Sequence, residues 1–138
     1  MRQAVTMPDL PTPGQGLHDV TAPIARWTRE QGLRDGLLTI FLRHTSASLL
    51  IQENASPAAA RDLERWIARI APESDAYEHN EEGPDDMPAH LRAAITNTQL
   101  GIPLIDGRLA LGKWQGVFLF EHRRAPHLRT LALHLVGE

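Results

Sequence analysis

Three of the seven histidines in this sequence lie in polar surroundings that favour a function: His44, His79 and His90. Imidazole transfers protons near neutral pH and is the commonest protein ligand for metals. His90 follows the predicted start of a helix, where the helix dipole favours the neutral ring that binds a cation. Asp85 and Asp86, just before it, are interpreted as helix caps rather than as Mg²⁺ ligands. No local motif such as HExxH joins the histidines, so a metal site needs ligands from three separate segments.

A polar stretch at residues 44–48, His-Thr-Ser-Ala-Ser, interrupts two apolar runs, and Glu53 and Asn54 end the second run. If the two runs pair as a hairpin, they bring a histidine, two hydroxyls and a carboxylate to one rim. Acid–base or metal chemistry is then open to these groups. The alternative is a hydrogen-bonded turn without a catalytic role.

A second notable stretch, residues 107–116, contains three glycines and comes directly before the strand predicted at 117–122. Glycines allow close backbone approach or a positive φ. Trp114 beside Gln115 offers a flat face and an amide, which suit the binding of a planar ring. The alternative is a packed turn with Trp114 in the core.

Glu121 ends an apolar strand, where a buried carboxylate needs a partner such as Arg108, Arg123 or a metal-bound histidine. A basic group after this strand could hold a phosphate with bidentate hydrogen bonds, or could be a solvated surface. Its members are Arg123, Arg124 and Arg129.

The order of apolar runs, caps and turns predicts an α+β fold in a single domain over residues 1–138, with a mainly antiparallel, curved or barrel-like sheet and two to three helices. Helices are predicted over 20–31, from the cap Ser56 to Pro72, and from Pro88. A long acidic loop at 71–87 precedes the last helix. Strands are predicted at 3–6, 37–43, 47–52, 102–105, 108–111, 117–122 and 128–135, with a type I′ turn at Asp106-Gly107.

Composition excludes several classes of protein. The chain has 138 residues, no cysteine and a net charge of −3. The absence of cysteine excludes disulfides and cysteine-ligated metals. The charge argues against a general nucleic-acid binder. The apolar runs are too short to span a bilayer, and the N-terminal residues lack an apolar signal core, so we expect a cytoplasmic protein without a membrane partner.

Three separated motifs resemble the YjbQ family of small bacterial and archaeal proteins: residues 44–57, 82–90 and 106–123. Lys113 and Ser56 depart from the family pattern, which usually has Thr and Asp at these positions. The resemblance implies a compact α+β fold, a homotrimer and a secondary thiamine-phosphate synthase activity. That reaction joins a hydroxymethylpyrimidine pyrophosphate to a thiazole phosphate and releases pyrophosphate. The residues that match the family's site are His44, Glu53, Asn54, His79, His90, Arg108, Trp114, Gln115 and Glu121.

The leading prediction is a small-molecule enzyme that acts on a phosphorylated substrate. The predicted catalytic residues are His44, Ser46 and Glu53. A divalent metal, zinc or magnesium, is predicted on His44, His79 and His90. The predicted substrate-binding residues are Asn54, Arg108, Trp114, Gln115, Glu121 and Arg123. Two alternatives are a metal-dependent hydrolase of phosphorylated metabolites and a non-catalytic trimer that binds a metal or small ligand.

Overall fold

Nine β-strands and three α-helices make up the part of the chain that the computed structural model describes, residues 1–74 and 76–138. In chain order they are β1 (Arg2–Thr6), β2 (Asp9–Thr12), β3 (Gly16–Asp19), α1 (Thr21–Glu30), β4 (Gly36–Leu42), β5 (Ala47–Glu53), α2 (Pro57–Ile70), α3 (Asp86–Ala94), β6 (Gln99–Ile105), β7 (Arg108–Leu109), β8 (Gln115–Glu121) and β9 (His127–Gly137). Asp75, in the predicted acidic loop, lies outside the described residues. The predicted α+β fold is confirmed.

The larger sheet has the strand order β1-β9-β4-β6-β7, and β2 also pairs with β9. All of its pairings are antiparallel, and the strands do not close into a barrel. Alternate residues of β4, including Leu38 and Ile40, point into the core because successive side chains of a strand face opposite sides. The intervening Leu37 and Phe41 lie on an outer face that stays exposed.

The smaller sheet has the order β3-β8-β5 and is also antiparallel. Its register pairs Ala47 with Glu121 at one end and Glu53 with Gln115 at the other. Helix α3 contacts β5, and helix α2 contacts β3. This sheet therefore fixes which predicted site residues share an end of the molecule.

The hairpin predicted for the two apolar runs around residues 44–48 is wrong. Strand β4 pairs with β6 along one edge and with β9 along the other, so neither edge remains for β5. Strand β5 pairs instead with β8. Residues 43–46 therefore form the crossover between the two sheets, and Glu53 is carried away from His44 along the length of β5.

Local signals elsewhere predicted the elements well. Ser56 caps α2 by accepting a hydrogen bond from the Ala59 amide at 3.2 Å. Asp106 and Gly107 both have positive φ, 49° and 78°, as a type I′ turn requires. Helix α3 begins at Asp86, two residues before Pro88, because a proline in the first turn replaces an amide that has no intrahelical partner. None of the three described helices is long and apolar enough to cross a membrane.

Candidate metal centre

Two imidazoles and one carboxylate converge at the start of α3. In the described part of the chain, His79, Asp86 and His90 form a group whose ligand atoms all lie within 4.8 Å of one another. The Asp86 Oδ2 atom is 2.8 Å from His79 Nε2 and 3.2 Å from His90 Nε2. Two histidines and one carboxylate are a recurrent ligand set for divalent transition metals.

Helix α3 positions two of the three side chains in this group. Asp86 and His90 are four residues apart, so α3 places both side chains on one face, one turn apart. Asp86 is buried, and His90 is about one-third exposed. His79 comes from the segment between α2 and α3 and closes the group from the solvent side. The ligand atoms therefore combine a rigid helical pair with a third group from a loop.

The proton of His90 has a defined place. Its Nδ1 lies 3.0 Å from the carbonyl oxygen of Thr45, in the crossover between the sheets. A carbonyl only accepts hydrogen bonds, so Nδ1 carries a proton, and in the neutral ring Nε2 keeps its lone pair. A hydrogen bond of this kind from the second ring nitrogen is typical of metal-bound histidines.

Arg123 holds the carboxylate in position. Its Nη1 donates to Asp86 Oδ1 at 2.6 Å, its Nε donates to Asp85 Oδ2 at 3.0 Å, and its Nη2 donates to the Glu82 carbonyl at 2.9 Å. Asp86 therefore presents its second oxygen to the two imidazoles. Arg123, predicted to bind the substrate phosphate, lies on these carboxylates instead.

The protonation equilibria at the site are coupled. Burial disfavours ionisation of Asp86, but the hydrogen bond with His79 and electrostatic interactions with His90 and Arg123 outweigh it and lower the pKa of Asp86. The same hydrogen bond, to Asp86, raises the pKa of His79 despite partial desolvation. Asp86 is therefore ionised at neutral pH, and a cation that binds His79 competes with a proton for the same ring nitrogen.

A cavity of about 510 Å³ opens beside His79. Tyr77, Pro84 and Met87 form apolar parts of its wall, and Asn80 adds an amide. Its described lining contains no lysine or arginine. The apolar walls favour a ring, whereas a phosphate placed here would need positive charge from a cation bound beside the cavity.

His44 does not join this group. Its Nε2 accepts a hydrogen bond from the Thr130 amide at 2.7 Å, so the proton of the neutral ring lies on Nδ1. Burial, followed by the charge of Arg129, lowers the pKa of His44, which keeps the ring neutral. Neither ring nitrogen then has a lone pair for a cation. Within one chain, the structure thus brings together two of the three predicted histidine ligands.

Ser46 and Glu121 belong to a separate, buried network. Arg129 donates its Nε to Glu121 Oε1 at 2.7 Å and its Nη2 to Ser46 Oγ at 3.0 Å. Thr12 and two backbone amides also donate to Glu121. Burial opposes ionisation of Glu121, but Arg129 and these donors lower its pKa. The side-chain partner of Glu121 is therefore Arg129, not Arg108, Arg123 or a metal-bound histidine.

The remaining predicted residues, except Arg108, lie at the other end of the small sheet. Six residue steps of β5 separate Glu53 from Ala47, a distance of roughly 20 Å along the strand. Glu53 accepts from the Ser56 amide, and Gln115 Oε1 accepts from the Gly112 amide at 2.7 Å. These bonds stabilise local turns. The other members of this end are Asn54 and the exposed Trp114, and Arg108 lies on β7 in the large sheet.

Sequence reasoning missed Asp86, which was interpreted as a cap. It lies in the first turn of α3, and neither it nor the N-cap residue Asp85 makes a side-chain capping bond to the helix. The available signal was the spacing of Asp86 and His90, four residues apart beside a helix start. This spacing places a carboxylate and an imidazole on one helical face.

The fold and this centre define a small α+β protein with a two-histidine, one-carboxylate group beside an open cavity. A family model described as "UPF0047 protein YjbQ-like" matches residues 8–138. The chain belongs to this family. It is 50% identical to a UPF0047 protein from Synechocystis over 92% of this chain and 87% of that one. It is 40% identical to the YjbQ protein of Escherichia coli O157:H7 over 90% of this chain and 91% of that one.

Solved structures share the fold. A YbjQ-like protein of unknown function from Sulfolobus solfataricus superposes with a TM-score of 0.86 at 23% identity, over 99% of this chain and 100% of that one. A conserved hypothetical protein from Thermus thermophilus superposes with a TM-score of 0.82 at 32% identity, over 95% of this chain and 99% of that one.

Proposed function

We propose that this protein is an enzyme that uses a divalent metal to act on a phosphorylated small molecule, with His79, Asp86 and His90 as the metal ligands. One observation carries the proposal. The two Nε2 atoms face a single carboxylate oxygen, while Thr45 fixes the tautomer of His90 and Arg123 fixes the carboxylate. A ligand set with both orienting contacts in place is prepared to bind a cation.

The donor set favours zinc over magnesium. Imidazole nitrogen suits Zn²⁺ and similar transition metals, whereas Mg²⁺ prefers oxygen ligands and retains its waters. Three protein ligands leave a coordination position open for a water or a phosphate oxygen. A bound cation supplies Lewis-acid chemistry at that position. The chain itself orients the ligands and walls the cavity with apolar side chains.

The reaction that the family resemblance implies, transfer with release of pyrophosphate, is the first candidate. Acidic groups surround the centre, including Glu73, Glu82 and Asp85, and Arg123 already holds two carboxylates. A pyrophosphate group therefore depends on the metal for charge compensation. The apolar wall with Tyr77 and Met87 suits a ring attached to that group.

Hydrolysis of a phosphorylated metabolite is the second candidate, and one observation favours it. Glu82 Oε2 lies 3.2 Å from His79 Nε2 at the exposed rim of the centre. A carboxylate there would be the general base for a water that a bound cation would activate. The two candidates share the metal centre and differ in the acceptor of the transferred group.

The test combines elemental analysis of the purified protein with two assays. One follows pyrophosphate release from hydroxymethylpyrimidine pyrophosphate in the presence of thiazole phosphate, and the other follows phosphate release from a panel of phosphoesters. We expect about one equivalent of metal and activity that a chelator removes. His79→Ala and His90→Ala should abolish both metal binding and activity. The control His134→Ala alters a histidine that is hydrogen-bonded to Gln3 on the large sheet, and it should change neither metal binding nor activity. Stoichiometric metal without turnover would favour the non-catalytic alternative, and no metal would reject the proposal.

We also propose that copies of this chain cover the outer face of the large sheet as a homotrimer. Val5, Leu37 and Phe41 are 64%, 44% and 43% exposed on that face, and no described helix covers it. Exposed apolar patches of this kind mark contact surfaces. Light scattering should give three times the chain mass, and Phe41→Glu should reduce it, while Arg61→Glu on α2 should not. A monomeric parent protein would contradict the proposal.

A further inference from the structure

A second cavity, of about 270 Å³, lies between α2, α3 and the small sheet. Its lining includes Glu64 and Ala68 from α2, Arg92 from α3, and Phe120 and His122 from β8 and the residue after it. None of its lining residues belongs to the cavity beside His79. Two groups in this second cavity are left without the partners that such groups normally have.

The first group is the guanidinium of Arg92, which is 7% exposed. Its Nε and Nη2 both donate to one backbone carbonyl, that of Ala71, at 3.1 and 2.9 Å. No described carboxylate is within ion-pairing distance, whereas the buried Arg129 pairs with Glu121. Burial lowers the pKa of Arg92, as expected for a cation with too little compensation. A buried charge without a counter-ion is costly.

The second group is the imidazole of His122, which is 1% exposed. Its Nε2 lies 2.9 Å from the Ser48 hydroxyl, and its Nδ1 has no partner. Among the described residues, this is the one buried side-chain nitrogen or oxygen without a hydrogen bond. Burial, followed by the charge of Arg92, lowers the pKa of His122 to about 3. The ring is therefore neutral, and when Ser48 donates to Nε2 the proton of the ring is on Nδ1.

We propose that this cavity binds a hydrogen-bearing oxyanion, of the class of inorganic phosphate, between Arg92 and His122. The guanidinium supplies the positive charge, and His122, in the tautomer to which Ser48 donates, supplies Nδ1–H as a neutral donor. Glu64 and Glu121 also line the cavity, but the charge of Glu121 is already compensated by Arg129. This site is separate from the proposed metal centre and does not depend on it.

Glu64 makes the proposal specific. Its carboxylate accepts a hydrogen bond from the Leu17 amide at 3.0 Å and keeps further acceptor capacity towards the cavity. An oxyanion that bears an O–H donates to this carboxylate, whereas one without hydrogen meets like charge. Inorganic phosphate retains an O–H at neutral pH, and sulfate does not. The cavity should therefore bind phosphate in preference to sulfate.

The experiment titrates the full chain with inorganic phosphate and with sulfate by calorimetry, in a His90→Ala background that removes the proposed metal centre. We expect one saturable phosphate site and sulfate affinity at least roughly tenfold weaker, because an unmatched buried polar group is costly. Arg92→Gln should weaken phosphate binding at least roughly tenfold. The matched control Arg69→Gln, an exposed arginine on α2, should leave it unchanged.

Two further variants keep the test decisive if Arg92→Gln does not fold. Ala68→Phe should obstruct the cavity from its exposed edge and abolish phosphate binding. Glu64→Gln should reduce the preference for phosphate, because an amide can donate to sulfate. A phosphate-induced shift of the His122 ring nitrogens in NMR spectra would support the site. Absence of saturable binding, binding that survives Ala68→Phe, or equal affinity for both anions would overturn the proposal.

Discussion

The proposed metal centre and the Glu121–Arg129 network use the same residue types with opposite results. Each joins a buried carboxylate to an arginine, with a histidine nearby. At Glu121, donors from Thr12, Arg129 and two amides occupy the carboxylate. At Asp86, one oxygen is held by Arg123 and the other faces two imidazoles beside an open cavity. The residue types alone do not distinguish the two regions. The difference is that Asp86 keeps a carboxylate oxygen that no arginine or amide occupies, beside an open cavity, whereas Glu121 does not.

The largest effect is expected in the buried network. Glu121→Gln leaves Arg129 buried without its counter-ion, so the free energy of unfolding should fall by about 3–5 kcal/mol. Urea denaturation at neutral pH measures this loss. Zinc affinity of the folded fraction should stay unchanged, and a stable variant with weakened zinc binding would show that the two regions are not separate.

At the metal centre, Asp86→Asn should weaken zinc affinity by roughly 100-fold or more, because it removes a charged ligand that is already oriented. Competition with a chromogenic chelator measures the affinity. Asp62→Asn, on the exposed surface of α2, is the control for the loss of one negative charge. Equal affinities of the two variants would contradict the assignment of Asp86 as a ligand.

Arg123 should act on metal affinity only through Asp86. Arg123→Gln should weaken zinc binding by roughly 10–100-fold, as for other groups that orient a metal ligand. The neighbouring Arg124, whose guanidinium pairs with Glu73, offers a matched control in Arg124→Gln. If both variants bind zinc equally well, Arg123 does not position the carboxylate.

The mildest experiment compares two histidines by NMR titration of the metal-free protein. The hydrogen bond with Asp86 raises the pKa of His79, so its ring should titrate above the ordinary value of 6.5. Burial lowers the pKa of His122 to about 3, so its ring should stay neutral through the same range. The unfolded chain protonates His122 near 6.5, and stability should therefore fall as the pH drops below that value. Coincident titration midpoints would contradict the contrast.

The sequence predicted those elements of the fold whose conformation depends on residues next to one another in the chain. The cap Ser56 and the Asp106-Gly107 turn specify their own conformations through a side chain and through glycine. The pairing of β5 was not predicted, because it depends on both edges of β4 being occupied by strands distant in sequence. The site shows the same limit. The structure places His79 and His90 side by side. The partners of His44 and Glu121 are the Thr130 amide and the Arg129 side chain, which no local motif indicates.

The hydrogen bond from His90 to the Thr45 carbonyl has a consequence for mutational tolerance. The acceptor is a main-chain atom, so every amino acid at position 45 supplies it, and the exposed threonine side chain has no part in the contact. Position 45 should accept most substitutions without disturbing the ring. The vulnerable changes are those that displace the peptide plane itself, such as a proline at position 46, which removes an amide and restricts the residue before it.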